Sequence, residues 1–400
     1  MMGRLSKYFC YVYLFLWIVY NLQEILQIRG LVSQMIVFSL LLISACITIE
    51  VNLRYKTGPY FRCLNVMLIL SVIYGVIVIV GDYSFHKGIY SSNIINNYSY
   101  LQRILGSVLP IYVFYYFTLK NQITSRDMIV IFAMLLIYSV LMLYQKQFSL
   151  LEDSVKEEVT NNKGYNFVPL IPLLYLVKIK DIWKYFILIV IAAYIIMTFK
   201  RGAMLAGTVM MSLFLLRNLK AISVKRVFYL LLLTLIVIFG IYRFLTDFYA
   251  RSAYLQARLA STMEGNTSGR EQIYRIYYDY FAEHTSAFEF LFGHGANGTI
   301  LLFHQYAHND WLEFAINQGV LGVVLYAVYW MACLWEWKHF AGPSVCRYAL
   351  GDIFIALFLI ALFSMSYENM KLAYTLCIGY CLAVNERAKG LIRYRSYAGV

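Results

Sequence analysis

Residues 306–326 read YAHNDWLEFAINQGVLGVVLY, which places a histidine, an amide and two carboxylates directly before a long apolar run. Apolar runs recur along the whole chain of 400 residues, which is 61% hydrophobic and has a mean hydropathy of +0.64. Only 14% of its residues are charged, whereas a soluble domain carries about a quarter. The sequence therefore predicts an all-α integral membrane protein.

Twelve apolar runs are each a candidate membrane-spanning helix, because a helix needs about 20 residues to cross the hydrocarbon core. They cover residues 8–26, 31–49, 63–81, 101–119, 128–144, 165–179, 183–199, 203–216, 227–246, 316–336, 349–365 and 371–385. We therefore expect spans one to nine within residues 1–246 and a large outer loop with amphipathic helices at residues 247–310. Spans ten to twelve and a cytoplasmic tail are expected at residues 311–400.

The distribution of charge predicts the orientation of these spans. If the N-terminus is cytoplasmic, most lysines and arginines fall in inner connections, as the positive-inside rule requires, so both termini are expected in the cytoplasm. Much of the net charge of +13 is explained in this way, and no nucleic-acid partner is expected. The seven cysteines fall in predicted spans or inner connections, which predicts no disulfide framework.

The outer loop contains an amphipathic pattern at residues 267–284, TSGREQIYRIYYDYFAEH. Ser268 and Glu271 have the spacing of a capping box, which places Arg270 in the first helical turn. A cation there opposes the helix dipole, so Arg270 either shares its site with a bound anion or is an exposed arginine that costs little. This helix is expected on the outer membrane face or on the helical bundle, with its apolar residues on one side. Those residues are Ile273, Ile276, Tyr277, Tyr280 and Phe281.

Two further stretches are candidates for ligand binding. Lys200 and Arg201 lie between two predicted spans on the outer side, against the positive-inside rule, so they either reach toward lipid headgroups or bind a phosphate. Gly293 and Gly295, within FGHGANGTI at residues 292–300, permit tight turns and the close approach of a ligand, although a plain connecting loop has the same composition.

The polar residues of the opening stretch have two interpretations. Asp310 and Glu313 have capping-box spacing, which predicts Asp310 as the N-cap of the helix that leads into span ten. His308 then lies just outside the positive end of the helix dipole, which disfavours a charged imidazole. A neutral imidazole can accept a proton, so His308 is a candidate general base, with a second capping residue as the alternative.

Four of the six histidines lie at residues 284–308, which makes zinc a rival interpretation of this stretch. No HExxH pattern is present, no cysteine is near, and a glycine-rich stretch separates the histidines. The sequence therefore predicts no metal site.

Four stretches resemble, in this order, the O-antigen ligase and O-antigen polymerase superfamily of bacterial membrane glycosyltransferases: TFKRGAML, SGREQIY, FGHGANG and AHNDWLEFAINQGVLGVVLY. They fall within residues 195–330, and the predicted topology with a large loop between spans nine and ten agrees with that superfamily. Lys200 departs from the family pattern, which often has serine there, whereas Arg201 matches it. The implied fold is all-α and similar to that of class C glycosyltransferases.

The resemblance implies an enzyme of the bacterial inner membrane with its active site on the periplasmic side. Such enzymes move a glycan from an undecaprenyl pyrophosphate carrier to an acceptor, and they use no metal, cofactor or nucleotide sugar. Their essential residues, carried over by motif, are Arg201, Arg270 and His308. The further residues expected to contact the pyrophosphate or the glycan are Lys200, Arg275, Gly293, Gly295 and Asn309.

The expected partners are the undecaprenyl-pyrophosphate-linked donor, a glycan or lipid A–core acceptor and the lipid bilayer, and a chain-length regulator is a candidate partner. A polymerase extends a lipid-linked repeat unit, whereas a ligase modifies lipid A–core. We favour the polymerase, because the superfamily uses this plan for many capsule, exopolysaccharide and O-antigen polymerases. The rival from another class is a transporter or flippase, which would bind its substrate in the middle of the membrane and often shows internal repeats.

Overall fold

The chain forms a set of helices in a computed structural model, with one small strand pair among the described residues. The structure describes residues 2–23, 26, 28, 30–81, 85–86, 94–95, 98–152, 162–198, 200–218, 239, 246, 270–283, 285–368, 370 and 372–390. The predicted ninth span, at residues 227–246, and the predicted cap at Ser268 therefore lie outside the described residues, apart from positions 239 and 246.

The described helices follow the apolar runs of the sequence. They are α1 (Met2–Asn21), α2 (Leu31–Arg54), α3 (Pro59–Val80), α4 (Ser99–Leu119), α5 (Asp127–Glu152), α6 (Leu170–Leu173), α7 (Asp181–Met197), α8 (Arg201–Asn218), α9 (Arg270–Glu283), α10 (Ala287–Phe292), α11 (Gly298–Phe303), α12 (Asp310–Lys338), α13 (Ser344–Phe363) and α14 (Leu372–Ala388). A 3₁₀ helix covers Asn162–Asn166, and the strands β1 (Phe85–His86) and β2 (Ile94–Ile95) pair antiparallel.

Several of these helices are suited to a membrane. Within the described part of the chain, five are long and apolar enough to cross one: Leu31–Arg54, Pro59–Val80, Asp127–Tyr144, Asp310–Lys338 and Ser344–Phe363. The chain is therefore a multi-pass α-helical membrane protein, as predicted. The number of twelve spans and the periplasmic position of the loop remain predictions.

The sixth predicted span, at residues 165–179, is not a continuous helix. It consists of the end of the 3₁₀ helix, the four-residue helix α6 and turns, because Pro169 and Pro172 lack the amide hydrogen that an unbroken helix requires. Residues 164–177 are nevertheless all buried. Irregular backbone at membrane depth is tolerated where protein surrounds it.

The chain divides into two compact units whose segments alternate along the sequence. The first comprises Met1–Leu40, Phe117–Asn266 and Pro343–Ala356, and the second comprises Leu41–Tyr116, Thr267–Gly342 and Leu357–Val400. The second unit holds the candidate base and the helices α9 to α12. The first unit holds α8, whose first residue is Arg201.

Helix α9 confirms the amphipathic pattern within residues 267–284. Its residue Tyr277 is fully buried with Ala307 and Ile316, and Ile273, Tyr280 and Phe281 pack against this cluster. Burial of each large apolar side chain contributes about 1.5–3 kcal/mol, so this face holds α9 on the second unit. Ile276 differs from the prediction, since its side chain is exposed.

Candidate active site

The candidate base His308 lies in a short loop, residues 304–309, between α11 and α12. His304 and His308 both have left-handed backbone, with φ angles of 56° and 53°. Side-chain-bearing residues keep such a conformation, at about 1–3 kcal/mol each, only where the surroundings enforce it. One enforcing contact is the amide of Ala307, which donates to Oε1 of Glu313 at 2.6 Å. The start of α12 therefore fixes the backbone next to His308.

The N-cap of α12 is Asn309, so the prediction that Asp310 would cap this helix was wrong. The side-chain oxygen of Asn309 accepts from the amides of Trp311 at 2.9 Å and Leu312 at 3.3 Å. The carboxylate of Asp310 is instead drawn to Ser366, whose amide donates to it at 3.0 Å and whose hydroxyl donates as well. These donors hold the Asp310 side chain, so that Asn309 caps the helix.

The two carboxylates at the start of α12 are both buried and fully engaged. Asp310 also accepts from the hydroxyl of Tyr326 at 2.8 Å and from the amide of Tyr367 at 3.2 Å. Glu313 accepts from the hydroxyl of Thr299 at 2.8 Å. Buried carboxylates without such partners would be strongly destabilising. Asp310 thus holds the segment after α13, and Glu313 holds α11, onto the start of α12.

Helix α9 brings Arg270 close to the loop of His308. Arg270 is the first residue of α9, and Tyr274 follows one turn later on the same side. The Tyr274 hydroxyl lies 3.4 Å from the carbonyl oxygen of His308. Burial raises the pKa of the Tyr274 phenol, and the nearby positive charge of Arg270 opposes that shift. Tyr274 is therefore near both the charge of Arg270 and the backbone of His308.

A second tyrosine of α9, Tyr277, also binds the loop that carries His308. The Tyr277 hydroxyl donates to the carbonyl oxygen of Gln305 at 2.7 Å, and its ring packs on Phe303 with centroids 4.3 Å apart. Burial raises the pKa of the Tyr277 phenol, so it remains a hydrogen-bond donor at neutral pH. Two successive turns of α9 thus contact the loop that carries His308.

Arg275, a candidate for substrate contact, points into solvent and not toward the loop of His308. Its side chain is 84% exposed, and its Nε lies 3.9 Å from the carboxylate of Asp279 on the same helix. A solvent-exposed pair of this kind contributes little to stability. The structure does not bring Arg275 to the loop of His308.

The two candidate glycines lie against a break in α12. Gly319 has φ 64° and ψ −159°, which interrupts the helix, and the carbonyls of Ile316 and Asn317 accept from the amides of His294 and Gly295 at 2.8 and 2.9 Å. Gly293, with φ 73°, lies so close to α12 that an added Cβ would be 2.4 Å from a backbone nitrogen. Close packing of two backbones therefore accounts for Gly293 without a bound ligand.

Lys200 and Arg201 belong to the first unit, at the beginning of α8. The Lys200 ammonium lies 5.9 Å from the ring centroid of Tyr165, at the distance of a cation–π contact. Gly202 packs against the same tyrosine, because a Cβ there would lie 2.2 Å from its hydroxyl. Helix α7 ends at Met197 and α8 begins at Arg201, so Arg201 lies where the connection between spans seven and eight was predicted.

Arg103 and Glu368 lie near the candidate site, although the sequence motifs did not predict a role for either residue. The Arg103 guanidinium lies 3.2 Å from the Glu368 carboxylate and donates to Asn297 at 2.7 Å. Both ionisable residues stand beside or within apolar runs, where charged groups are rare and usually have a role. That signal was available in the sequence, but no motif accompanied it.

The described cavity beside these groups is small. Its volume is about 10 Å³, which is room for about one water molecule and not for a sugar. Its lining residues are Tyr100, Asp310, Glu313, Phe314, Asn317, Gln318, Tyr367 and Glu368. A glycan therefore does not bind in this cavity.

Histidine clustering does not produce a metal site in the part of the chain that the structure describes. No three His, Cys, Asp or Glu side chains are grouped there so as to hold an ion. His294 lies 3.5 Å from Glu289, and burial lowers the pKa of His294, which favours its neutral form.

Comparison with known proteins supports the resemblance seen in the motifs. Residues 186–327, about a third of the chain, match the family model described as O-antigen ligase, Wzy_C. No curated protein matches the chain significantly. The matched stretch contains all eight of the candidate site residues. The resemblance to the O-antigen ligase and O-antigen polymerase superfamily is thereby confirmed over residues 186–327.

Proposed function

We propose that the chain is a polysaccharide polymerase of the bacterial inner membrane. It transfers a glycan from undecaprenyl pyrophosphate to the non-reducing end of a second lipid-linked repeat unit, on the periplasmic face. The observation that carries this proposal is that Tyr274 lies near both the charge of Arg270 and the backbone of His308, within the stretch that matches the O-antigen ligase family. An arginine and a histidine carried by neighbouring segments supply the two kinds of group that such a transfer requires, a cation and a base.

His308 acts as the general base in this mechanism. A hydroxyl of the acceptor attacks the anomeric carbon of the donor, and its proton passes to a ring nitrogen of His308. The bond between the anomeric carbon and the pyrophosphate oxygen breaks as the new glycosidic bond forms. The anomeric configuration is inverted, because the attack comes from the face opposite the leaving group.

Arginine stabilises the leaving group. Negative charge grows on the pyrophosphate as its bond to the sugar breaks, and a guanidinium can meet two phosphate oxygens at once. Arg270, at the first turn of α9, supplies this charge beside the base. From the family motif, Arg201 and its neighbour Lys200 are expected to contact the donor as well, and Asn309 borders the base. No metal, cofactor or nucleotide sugar takes part in the proposed reaction.

An O-antigen ligase is the alternative within the same superfamily, since the family match carries that description. It would use the same base and arginines but pass the glycan to lipid A–core. The preference for a polymerase rests on the abundance of polymerases with this plan. The identity of the acceptor distinguishes the two.

A transporter or flippase is the alternative from another class. It would bind its glycan on interrupted helices near the centre of the membrane. Helix α12 is interrupted at Gly319, but this break receives the backbone of the glycine-rich stretch at His294 and Gly295. The break is therefore filled by the protein itself, which favours the enzyme.

The test is reconstitution of the purified chain in liposomes with a defined undecaprenyl-pyrophosphate glycan, offered alone or together with lipid A–core. A polymerase yields longer lipid-linked chains from the donor alone. Product only when lipid A–core is present would show a ligase instead. Movement of the unchanged donor across the bilayer, with no new glycosidic bond, would refute enzymatic function.

A further inference from the structure

Arg103 joins three separate segments of the second unit. It lies in α4, outside the stretch that matches the family, and its side chain is largely buried. Its Nη2 donates to Oδ1 of Asn297 at 2.7 Å, and its Nη2 and Nε lie 3.2 and 3.3 Å from Oε2 of Glu368. Its Cζ lies 5.3 Å from the centroid of the Tyr306 ring.

The contact with Asn297 fixes the beginning of α11. Asn297 is the N-cap residue of this helix, yet its side chain makes no capping bond, and its backbone is left-handed with φ 59°. The side-chain oxygen that would normally cap the helix is turned to Arg103. The unusual backbone at Asn297 is thus held by a charged partner from another helix.

The contact with Tyr306 fixes the other end of α11. Tyr306 lies two residues before His308, and the Arg103 guanidinium faces its ring. Burial raises the pKa of Tyr306 to about 12, with Arg103 opposing the shift, so the phenol is neutral and close to the guanidinium. One guanidinium therefore holds the chain both before α11 and directly before the candidate base.

We propose that Arg103 is a positioning residue for His308. It does not contact the substrate; it holds α11 and the loop 304–309 in the arrangement that presents the imidazole. Glu368 orients the guanidinium by accepting from its Nε. The proposal rests on the proposed function for its kinetic consequence, but its structural consequence is measurable without any transfer assay.

The first test is hydrogen–deuterium exchange on three variants of the full chain. Arg103→Met removes the charge and the donors, whereas Arg103→Lys keeps the charge but cannot reach Glu368, Asn297 and Tyr306 together. Arg54→Met is the matched control, because Arg54 is an exposed arginine paired with Glu50 one turn away on α2.

Arg103→Met is expected to raise exchange in peptides covering residues 296–309 and to leave α14 unchanged, with Arg103→Lys intermediate and Arg54→Met like the wild type. Unchanged exchange at residues 296–309 would overturn the proposal. A rise of equal size in every helix would overturn it too, since that would mean a general loss of stability.

The second test is kinetic, in the reconstituted transfer assay. Misplacement of a catalytic group by about 1 Å can cost about 100-fold, so Arg103→Met is expected to lower kcat by about that factor with little change in the donor KM. A raised KM with normal kcat would mean that Arg103 binds the donor directly, which contradicts a positioning role. If the wild type itself transfers no glycan, the proposed function fails, while the exchange result still decides whether Arg103 holds the loop.

A milder variant covers the case in which Arg103→Met does not fold. Asn297→Gly keeps the left-handed backbone, which glycine adopts freely, but removes the acceptor for Arg103. It is expected to raise exchange at residues 296–309 and to lower kcat by a smaller factor. Wild-type exchange and wild-type kcat in this variant would overturn the proposal.

Discussion

At the scale of single residues, the proposed chemistry depends on which arginine of α9 faces the loop of His308. Arg270 and Arg275 are five residues apart on one helix, so they point in different directions. Arg270 shares its side with Tyr274, whose hydroxyl lies beside the backbone of His308, while Arg275 is in solvent. Arg275 is therefore a matched control for Arg270, because it carries the same charge on the same helix but lies away from the loop of His308.

Replacement of Arg270 by alanine is expected to lower the transfer rate by about 100-fold, since loss of one group that stabilises transition-state charge costs about that much. Arg275→Ala is the control and should keep a rate close to that of the wild type. The measurement is initial-rate kinetics in liposomes with the lipid-linked donor. Equal losses in the two variants would contradict the placement of Arg270 at the reacting pyrophosphate.

Two residue-level features could not be read from the sequence. Asn309 and Asp310 are both good caps, and the choice between them is made by Ser366, which is 56 residues further along the chain and binds the Asp310 carboxylate. Arg103 reaches the site from α4, far from every motif. Local patterns predict local contacts, and these two outcomes depend on contacts between distant segments.

Asp310→Ala is expected to destabilise the second unit, because it strands the amide and hydroxyl of Ser366 and the hydroxyl of Tyr326 in the interior. Each stranded buried donor costs about 1–3 kcal/mol, so the loss is expected to exceed about 3 kcal/mol. Thermal unfolding in detergent measures it, with Asp279→Ala on the exposed side of α9 as the control. An unchanged melting temperature for Asp310→Ala would contradict the structural role given to this carboxylate.

At the scale of elements, the break in α12 organises the site. The interruption at Gly319 frees two carbonyls that bind the glycine-rich stretch, and the carbonyl carbon of Leu291 at the end of α10 lies 2.5 Å from where a Cβ of residue 319 would be. A residue with a side chain would meet this backbone and would also be strained at φ 64°. Glycine at 319 is therefore required by packing and by conformation together.

Gly319→Ala is expected to lower both the melting temperature and the transfer rate, since α10 must move away from α12. The strain of this backbone conformation, which essentially only glycine adopts, costs about 1–3 kcal/mol by itself. Gly106→Ala is the control: Gly106 lies inside α4 with open space where its Cβ would be, so the change should be neutral or slightly stabilising. The prediction fails if both variants melt at the wild-type temperature.

The sequence predicted helix boundaries well where the helix has one apolar face, and poorly where prolines interrupt an apolar run. The pattern at residues 267–284 became α9 at Arg270–Glu283, because its buried side is set by its own side-chain periodicity. The apolar run at residues 165–179 looked like a span, but hydropathy does not register the missing amides of Pro169 and Pro172. Its full burial explains why it is apolar without being a helix.

At the scale of the whole molecule, hydropathy predicted a multi-pass membrane protein, and five long apolar helices in the described part of the chain agree with that class. Orientation depends on the charge of the connections, which the fold of each unit does not report. It therefore remains a prediction from the positive-inside rule. The motifs predicted a resemblance to the O-antigen ligase and polymerase superfamily, and the family match over residues 186–327 supports it.

The predicted topology places the loop before α12 outside the cytoplasm and the connection after α12 inside it. Alkaline phosphatase fused after Tyr280 is therefore expected to be active in cells, whereas the same enzyme fused after Gly342 is expected to be inactive. A fluorescent protein at the C-terminus, which folds only in the cytoplasm, is expected to fluoresce. The reverse pattern would place the proposed site on the wrong face of the membrane.

The central claim, that His308 accepts the proton of the attacking hydroxyl, is tested most directly by a single-turnover measurement with pre-bound lipid-linked donor. His308→Ala is compared with His304→Ala, a neighbouring histidine with the same left-handed backbone. His308→Ala is expected to bind the donor with wild-type affinity and to transfer glycan at least about 100-fold more slowly, as expected for loss of a general base, while His304→Ala transfers normally. Transfer by His308→Ala at the wild-type rate would contradict the claim.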